Sequence, residues 1–363
     1  MHSSQNSRIR ALDALRGIAS ASVVLQHTYD IHSFPAPQWI RWLVGESFGV
    51  PLFFAVSAFC LYYAMERHDS QSQSAIVFYL RRFFRIAPLF YALLLLYVAF
   101  LYWRFGLNAP QTSLLLSMLF VFNFFEGEQA GIVWASWTIG VEMAFYAVFP
   151  LIFAIVKTPW RASAMFVGFI VLSEAVLVLL PSFVADPAAY WKLSVFRHLP
   201  IFGAGIVAYQ VGVLFYHRRN ALWIGASCLL AALAFIILWR WGVLGRWEHH
   251  GKAAAAGLAV LGCYLCPLRA IVNRLTVALG TISYSLYLVH APIIYYSRWV
   301  YDAVYALSLP AALTFVLCAV ISFAFSVPLA CAFYLLVERP GNRLGRFAAS
   351  SLSSWRQRYV PAN

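Results

Sequence analysis

The feature that most constrains this chain is a succession of long apolar runs separated by short basic or Pro/Gly-containing segments. The runs fall at residues 12–32, 48–66, 86–104, 136–157, 163–181, 198–216, 221–240, 253–268, 278–300 and 308–337. About 20 apolar residues cross a bilayer as a helix. The pattern therefore predicts an all-α polytopic membrane protein with about ten transmembrane helices. Residues 253–268 are short for a crossing and 308–337 are long. An eleventh run, 112–125, has the length of a re-entrant or interfacial segment rather than a span. Only 11% of residues are charged and 63% are apolar, which excludes an ordinary soluble enzyme, a disordered chain and a collagen-like chain.

The net charge of +13 does not point to nucleic acid, because no basic segment is long enough to form a groove. The basic residues sit in short connections, at Arg81, Arg82 and Arg85, Arg218 and Arg219, Arg269 and Arg274, and Arg339, Arg343 and Arg346. Lys/Arg excess marks cytoplasmic loops. Ten crossings with both termini cytoplasmic place every basic cluster inside, and leave 112–125 as a partial insertion on the outer side. Residues 1–346 then form one membrane-embedded domain and 347–363 a short cytoplasmic tail. The N-terminal run is a retained span: Asp13 and Arg16 interrupt its start and no small-residue cleavage site follows. Cys263 and Cys266 form a CxxC without a second Cys or His pair, so no metal site is expected there or elsewhere.

Charged groups within a span are costly and mark function. They are few: Asp13, Arg16, His27 and Asp30 in the first span, Glu142 in the fourth, Glu174 in the fifth, Arg197 and His198 at the start of the sixth, His290 in the ninth and Glu338 at the end of the tenth. Arg16 and His27 are eleven residues apart, about three helical turns, and share a face with Asp13. A rise of 1.5 Å per residue places His27 at roughly 22 Å from the cytoplasmic edge, and Glu142 and His290 both at roughly 18 Å. Three ionisable groups from three helices thus converge in depth, and a carboxylate beside a histidine orients the ring and raises its basicity. Arg82 and Arg85, at i and i+3, face one way and suit a phosphate, although a basic loop also serves topology alone.

Taken together these segments resemble the acyltransferase 3 family of integral membrane acyltransferases. RALDALRGIASASVVLQH at 10–27 looks like the family's LDxLRG helix with its later His. GVPLFFAVSAF at 49–59 looks like G-x-x-LFFxxSGF, with Ala58 where Gly is usual. RRFFRIAP at 81–88 matches RxxR with a following Pro. WASWTIGVEMAFYAVFP at 134–150 looks like W-S-L-x-x-E-x-x-FY-x-x-P. GTISYSLYLVHAP at 280–292 resembles G-x-x-SYSLYLxHxP, and ERP at 338–340 matches the closing E-x-P.

The resemblance implies a stand-alone O-acyltransferase in a bacterial-type cytoplasmic membrane. It would move an acyl group, commonly acetyl, from acyl-CoA to a hydroxyl of a carbohydrate or glycolipid. Acyl-CoA would be a co-substrate, with no bound cofactor. His27 would be catalytic, with Glu142 holding or polarising it. Arg82 and Arg85, with Arg16, would serve the donor, and Asp13, Trp137 and His290 would support the acceptor or the site. The different-class alternative is a transporter or flippase of a glycolipid or small anionic solute, since buried ionisable groups also mark transport paths. The acceptor is open among exopolysaccharide, lipopolysaccharide sugar, glycolipid and secondary metabolite.

Overall fold

The computed structural model describes residues 2–32, 37–67 and 75–359. Among them there is helix and no strand. In chain order the helices are α1 (His2–Asp30), α2 (Gln38–Val44), α3 (Gly49–Arg67), α4 (Ala75–Phe105), α5 (Gln111–Met118), α6 (Trp137–Ile155), α7 (Pro159–Leu179) and α8 (Pro187–Leu193). They continue as α9 (Val195–Phe215), α10 (Ala221–Arg240), α11 (Glu248–Leu265), α12 (Arg274–Thr281), α13 (Ser283–Tyr296), α14 (Arg298–Ala306), α15 (Ala311–Phe333) and α16 (Arg339–Tyr359).

Seven of the helical stretches are long and apolar enough to cross a membrane, and eight if the bent pair α12–α13 counts as one span. The expectation of about ten is therefore approximate. Two of the expected crossings, at α1 and α11, are too polar for that criterion. The first carries Asp13, Arg16, Gln26 and His27, and the second opens with Glu248, His249, His250 and Lys252. The 112–125 run forms the eight-residue α5 and a short 3-10 turn at Phe122–Phe124. Eight residues rise only about 12 Å, so α5 cannot cross. Exposure is inverted relative to a soluble protein. Only 11% of the apolar window of α7 is buried and 17% of that of α10, as expected of helices at the lipid boundary.

At three places the helix bounds differ from the apolar runs. The 278–300 run is not one straight span: α12 and α13 meet at Ile282 with a bend of 78°. Gly280 weakens the helix there, and Thr281 donates its hydroxyl to the Val277 carbonyl at 3.1 Å, a bond that bends helices. The 81–85 arginines do not lie in a loop ahead of a helix that starts at 86: α4 begins at Ala75 and carries them within its helix. The described part of the expected tail from 347 is helical. A π-helical turn at Tyr334–Glu338 joins α15 to α16, and α16 runs through that boundary to Tyr359; residues 360–363 lie outside the described residues.

The interior is built around α1, which packs against α3, α12, α13 and α15. Its crossing with α12 is possible because both helices offer glycine at the contact. A Cβ on Gly17 would collide with the Thr276 carbonyl, and one on Gly280 with the Asp13 carbonyl. Elsewhere α16 lies on α4, with Gly341 over Pro88 and Gly345 over Phe84.

Candidate active site

Four helices each contribute one face to a narrow polar cavity of about 80 Å³. On α3 the lining residues are Val50, Phe53, Phe54 and Ser57, and on α4 they are Arg82, Arg85 and Ile86. On α6 they are Thr138, Ile139, Glu142 and Tyr146, and on α13 Ser283, Tyr284 and Tyr287. Apart from adjacent pairs, the residues of each set are spaced three, four, seven or eight apart, so each set lies along one side of its helix. Arg16 enters from α1. The cavity therefore holds three guanidinium groups and the Glu142 carboxylate.

The arginines differ in their partners. Arg85 Nη1 donates to Glu338 Oε1 at 2.5 Å. Glu338 is fully buried on the π-helical turn, and its Oε2 accepts from Ser285 Oγ at 2.7 Å. Arg16 lies 3.8 Å from Asp13. Arg82 has the Phe78 ring 5.8 Å from its guanidinium carbon, its Nε is buried without a hydrogen-bond partner, and no ion pair to it is present among the described residues. The polar wall also contains Ser57 and Tyr146, whose hydroxyls lie 2.9 Å apart. Sequence reasoning missed these two hydroxyls, and equally Tyr284 and Tyr287. Tyr146 carried a signal in its i+4 spacing to Glu142 on α6; Ser57, Tyr284 and Tyr287 lie on other helices and join the site only once the four helices are known to meet.

A second, wider cavity of about 820 Å³ adjoins the first and is mostly apolar. His27 lines it with Tyr97, Trp134, Trp137, Pro292 and Tyr296. Ala135 adopts φ +65° beside Gly131 at φ +72°. This left-handed backbone, costly for a residue with a Cβ, turns the chain into α6 so that Trp134 and Trp137 both reach the cavity. Tyr287 lines the polar cavity, and its ring centroid is 5.8 Å from that of His290.

The ring partner of His27 is His290. His27 Nδ1 and His290 Nε2 lie 2.7 Å apart, and His290, fully buried, has its Nδ1 at 3.1 Å from the Leu286 carbonyl. A carbonyl only accepts, so His290 Nδ1 carries the hydrogen. Its Nε2 then accepts from His27 Nδ1–H, which leaves the lone pair on His27 Nε2. Glu142 matches the histidines in depth but lines the polar cavity with Arg16, Ser57 and Tyr146.

The remaining sequence candidates line neither cavity. Asp30 accepts from Gln26 at 3.0 Å on an exposed stretch, and Arg197 pairs with Glu248 at 3.4 Å. His198 packs between the rings of Phe54 and Trp137, with centroids 5.4 and 5.1 Å away. Glu174 faces His249 and His250. All six cysteines are free thiols, Cys263 and Cys266 included.

Comparison with curated proteins and with solved structures gives no match. The family model described as an acyltransferase domain, that of the acyltransferase 3 family, matches residues 9–332, a stretch that holds the His27–His290 pair and every lining residue of both cavities but Phe333. The chain is a member of that family, a polytopic membrane acyltransferase.

Proposed function

We propose that this protein transfers an acyl group, acetyl in the first instance, from acyl-CoA to a hydroxyl of a carbohydrate or glycoconjugate, with His27 Nε2 as the general base. The observation that carries this reading is the hydrogen-bonded series Leu286 carbonyl, His290, His27. It directs the one free imidazole lone pair away from His290 on a residue that lines the wide cavity. The acceptor hydroxyl gives its proton to His27 Nε2 as its oxygen attacks the thioester carbonyl. The C–S bond then breaks, and the departing thiolate takes the proton back from the imidazolium. Throughout, His27 Nδ1–H stays bonded to His290 Nε2, so the charged ring keeps its orientation.

The polar cavity suits the donor's phosphates. It holds Arg16, Arg82 and Arg85 against a single lining carboxylate. From Arg16 to His27 the helix rises about 16 Å, a length that an extended pantetheine arm can span. Trp134, Trp137 and Tyr296 give the wide cavity the aromatic faces on which sugar rings stack. In this reading the donor enters from the cytoplasm, the membrane is a cytoplasmic one and both chain ends are inside. The test is acetyl-CoA binding to the purified protein. Saturable binding that weakens in Arg82→Ala supports the enzyme. A protein that ignores acetyl-CoA but moves a solute across vesicles would be a transporter.

A further inference from the structure

Away from both cavities, α7 and α11 bring three metal-ligating side chains to one point. Glu174 lies near the end of α7, and His249 and His250 are the second and third residues of α11. Glu174 Oε1 is 2.7 Å from His250 Nε2 and 3.3 Å from His249 Nε2. One ligand atom from each of the three lies within 4.8 Å of the others. The two imidazoles are sheltered, with side-chain exposures of 8% and 10%. Trp191 and Trp247 flank them, at 6.3 Å from His249 and 5.6 Å from His250 between ring centroids.

We propose that Glu174, His249 and His250 bind a divalent first-row metal ion of the zinc type, which ties α7 to α11. A hydrogen bond accounts for His250 and Glu174 alone. His249 Nε2 is buried and lies 3.3 Å from the same carboxylate oxygen, without the geometry of a good hydrogen bond. A single cation satisfies all three groups together. Zinc bonds to imidazole nitrogen and carboxylate oxygen are about 2.0–2.2 Å, so neighbouring ligands in a tetrahedron stand about 3.4 Å apart. The observed separations of 2.7 and 3.3 Å both fall short of that value, so the ion would move the ligands apart, by about 0.7 Å at most.

The local charge favours a cation as well. Arg197 and Lys252 are engaged by Glu248, and Lys252 also by Glu46, which leaves the Glu174 carboxylate to the histidines. Three protein ligands keep a fourth position for water. The gain is mechanical: α7 and α11 each pack against α9, and α7 is otherwise a lipid-facing helix. Nothing in this proposal depends on the acyl-transfer reading.

The experiment uses the full chain in detergent, stripped with a chelator and titrated with Zn2+ and, separately, Co2+. The wild type should bind one ion per chain, give the visible absorption of tetrahedral Co2+, and melt at a higher temperature with Zn2+. Glu174→Gln and His249→Ala should each weaken binding by at least about tenfold and lose the thermal shift, while His27→Ala keeps both. Glu174→Gln preserves shape and the hydrogen bond, so it remains informative if His249→Ala does not fold. No stoichiometric binding, unchanged affinity in Glu174→Gln, or loss of the ion in His27→Ala would each overturn the proposal.

Discussion

His27 Nδ1 and His290 Nε2 stand 2.7 Å apart, joining the first helix of the chain to the second half of the bent α12–α13 pair. Because His290 accepts from His27, its removal frees the catalytic ring to rotate and to adopt the other tautomer. His290→Ala should therefore lower kcat by roughly 10²-fold with acetyl-CoA affinity almost unchanged. His290→Gln, whose side-chain carbonyl also accepts, should recover part of the loss. Steady-state kinetics of the two variants check this; equal rates for both would assign His290 to packing alone.

The arginine pair divides into two roles. Arg85 neutralises the buried Glu338, so Arg85→Ala should destabilise the protein. Arg85 is a third exposed, so the cost should be about 2–3 kcal/mol rather than the about 3–5 kcal/mol of a fully buried pair. Arg82→Ala should leave the melting temperature close to wild type and weaken acetyl-CoA binding about tenfold or more. Arg82→Lys keeps the charge but not the planar fork, and should fall between. Calorimetry and ligand titration on the same preparations separate the two effects.

Topology has its own test. Phe125 follows α5 and Ile76 opens α4, and both are about half exposed. With α5 as a partial insertion, a cysteine at Phe125 should react with an impermeant thiol reagent from outside, and one at Ile76 only from inside. Reaction of the Phe125→Cys thiol from the cytoplasmic side would mean that the 112–125 segment crosses and that the later basic loops break the positive-inside pattern.

The glycine crossing sets how deeply α1 lies in the bundle. Gly280→Val places a branched side chain against the Asp13 backbone and should cost about 1–3 kcal/mol. Because α1 carries His27 and α12 leads into the helix that carries His290, activity should fall with stability. Gly168, with open space around its Cβ, is the control position: Gly168→Ala should be neutral or slightly stabilising.

Much of this was legible before any coordinates. Apolar runs mark helices because a bilayer demands internally satisfied backbone, and the ionisable residues inside them are few enough to name. The shared depth of His27 and His290 follows from helix rise alone. Depth is one coordinate of three, however. Glu142 shares it and yet lines the neighbouring polar cavity, because which side of a helix meets which neighbour depends on how the bundle closes. Arg85 with Glu338, and Glu174 with His249 and His250, were invisible for the same reason: 253 residues separate the first two, and no local pattern encodes such a pairing. The break at Ile282 was missed because Gly280 and Thr281 interrupt an otherwise continuous apolar run without a proline.

The most direct test of the central claim is transfer of radiolabelled acetyl from acetyl-CoA to hydroxyl acceptors in membranes holding equal amounts of wild type or His27→Ala. The account predicts incorporation by the wild type, and a loss of at least about 10²-fold in the variant while acetyl-CoA still binds. Incorporation by His27→Ala near the wild-type rate would contradict it.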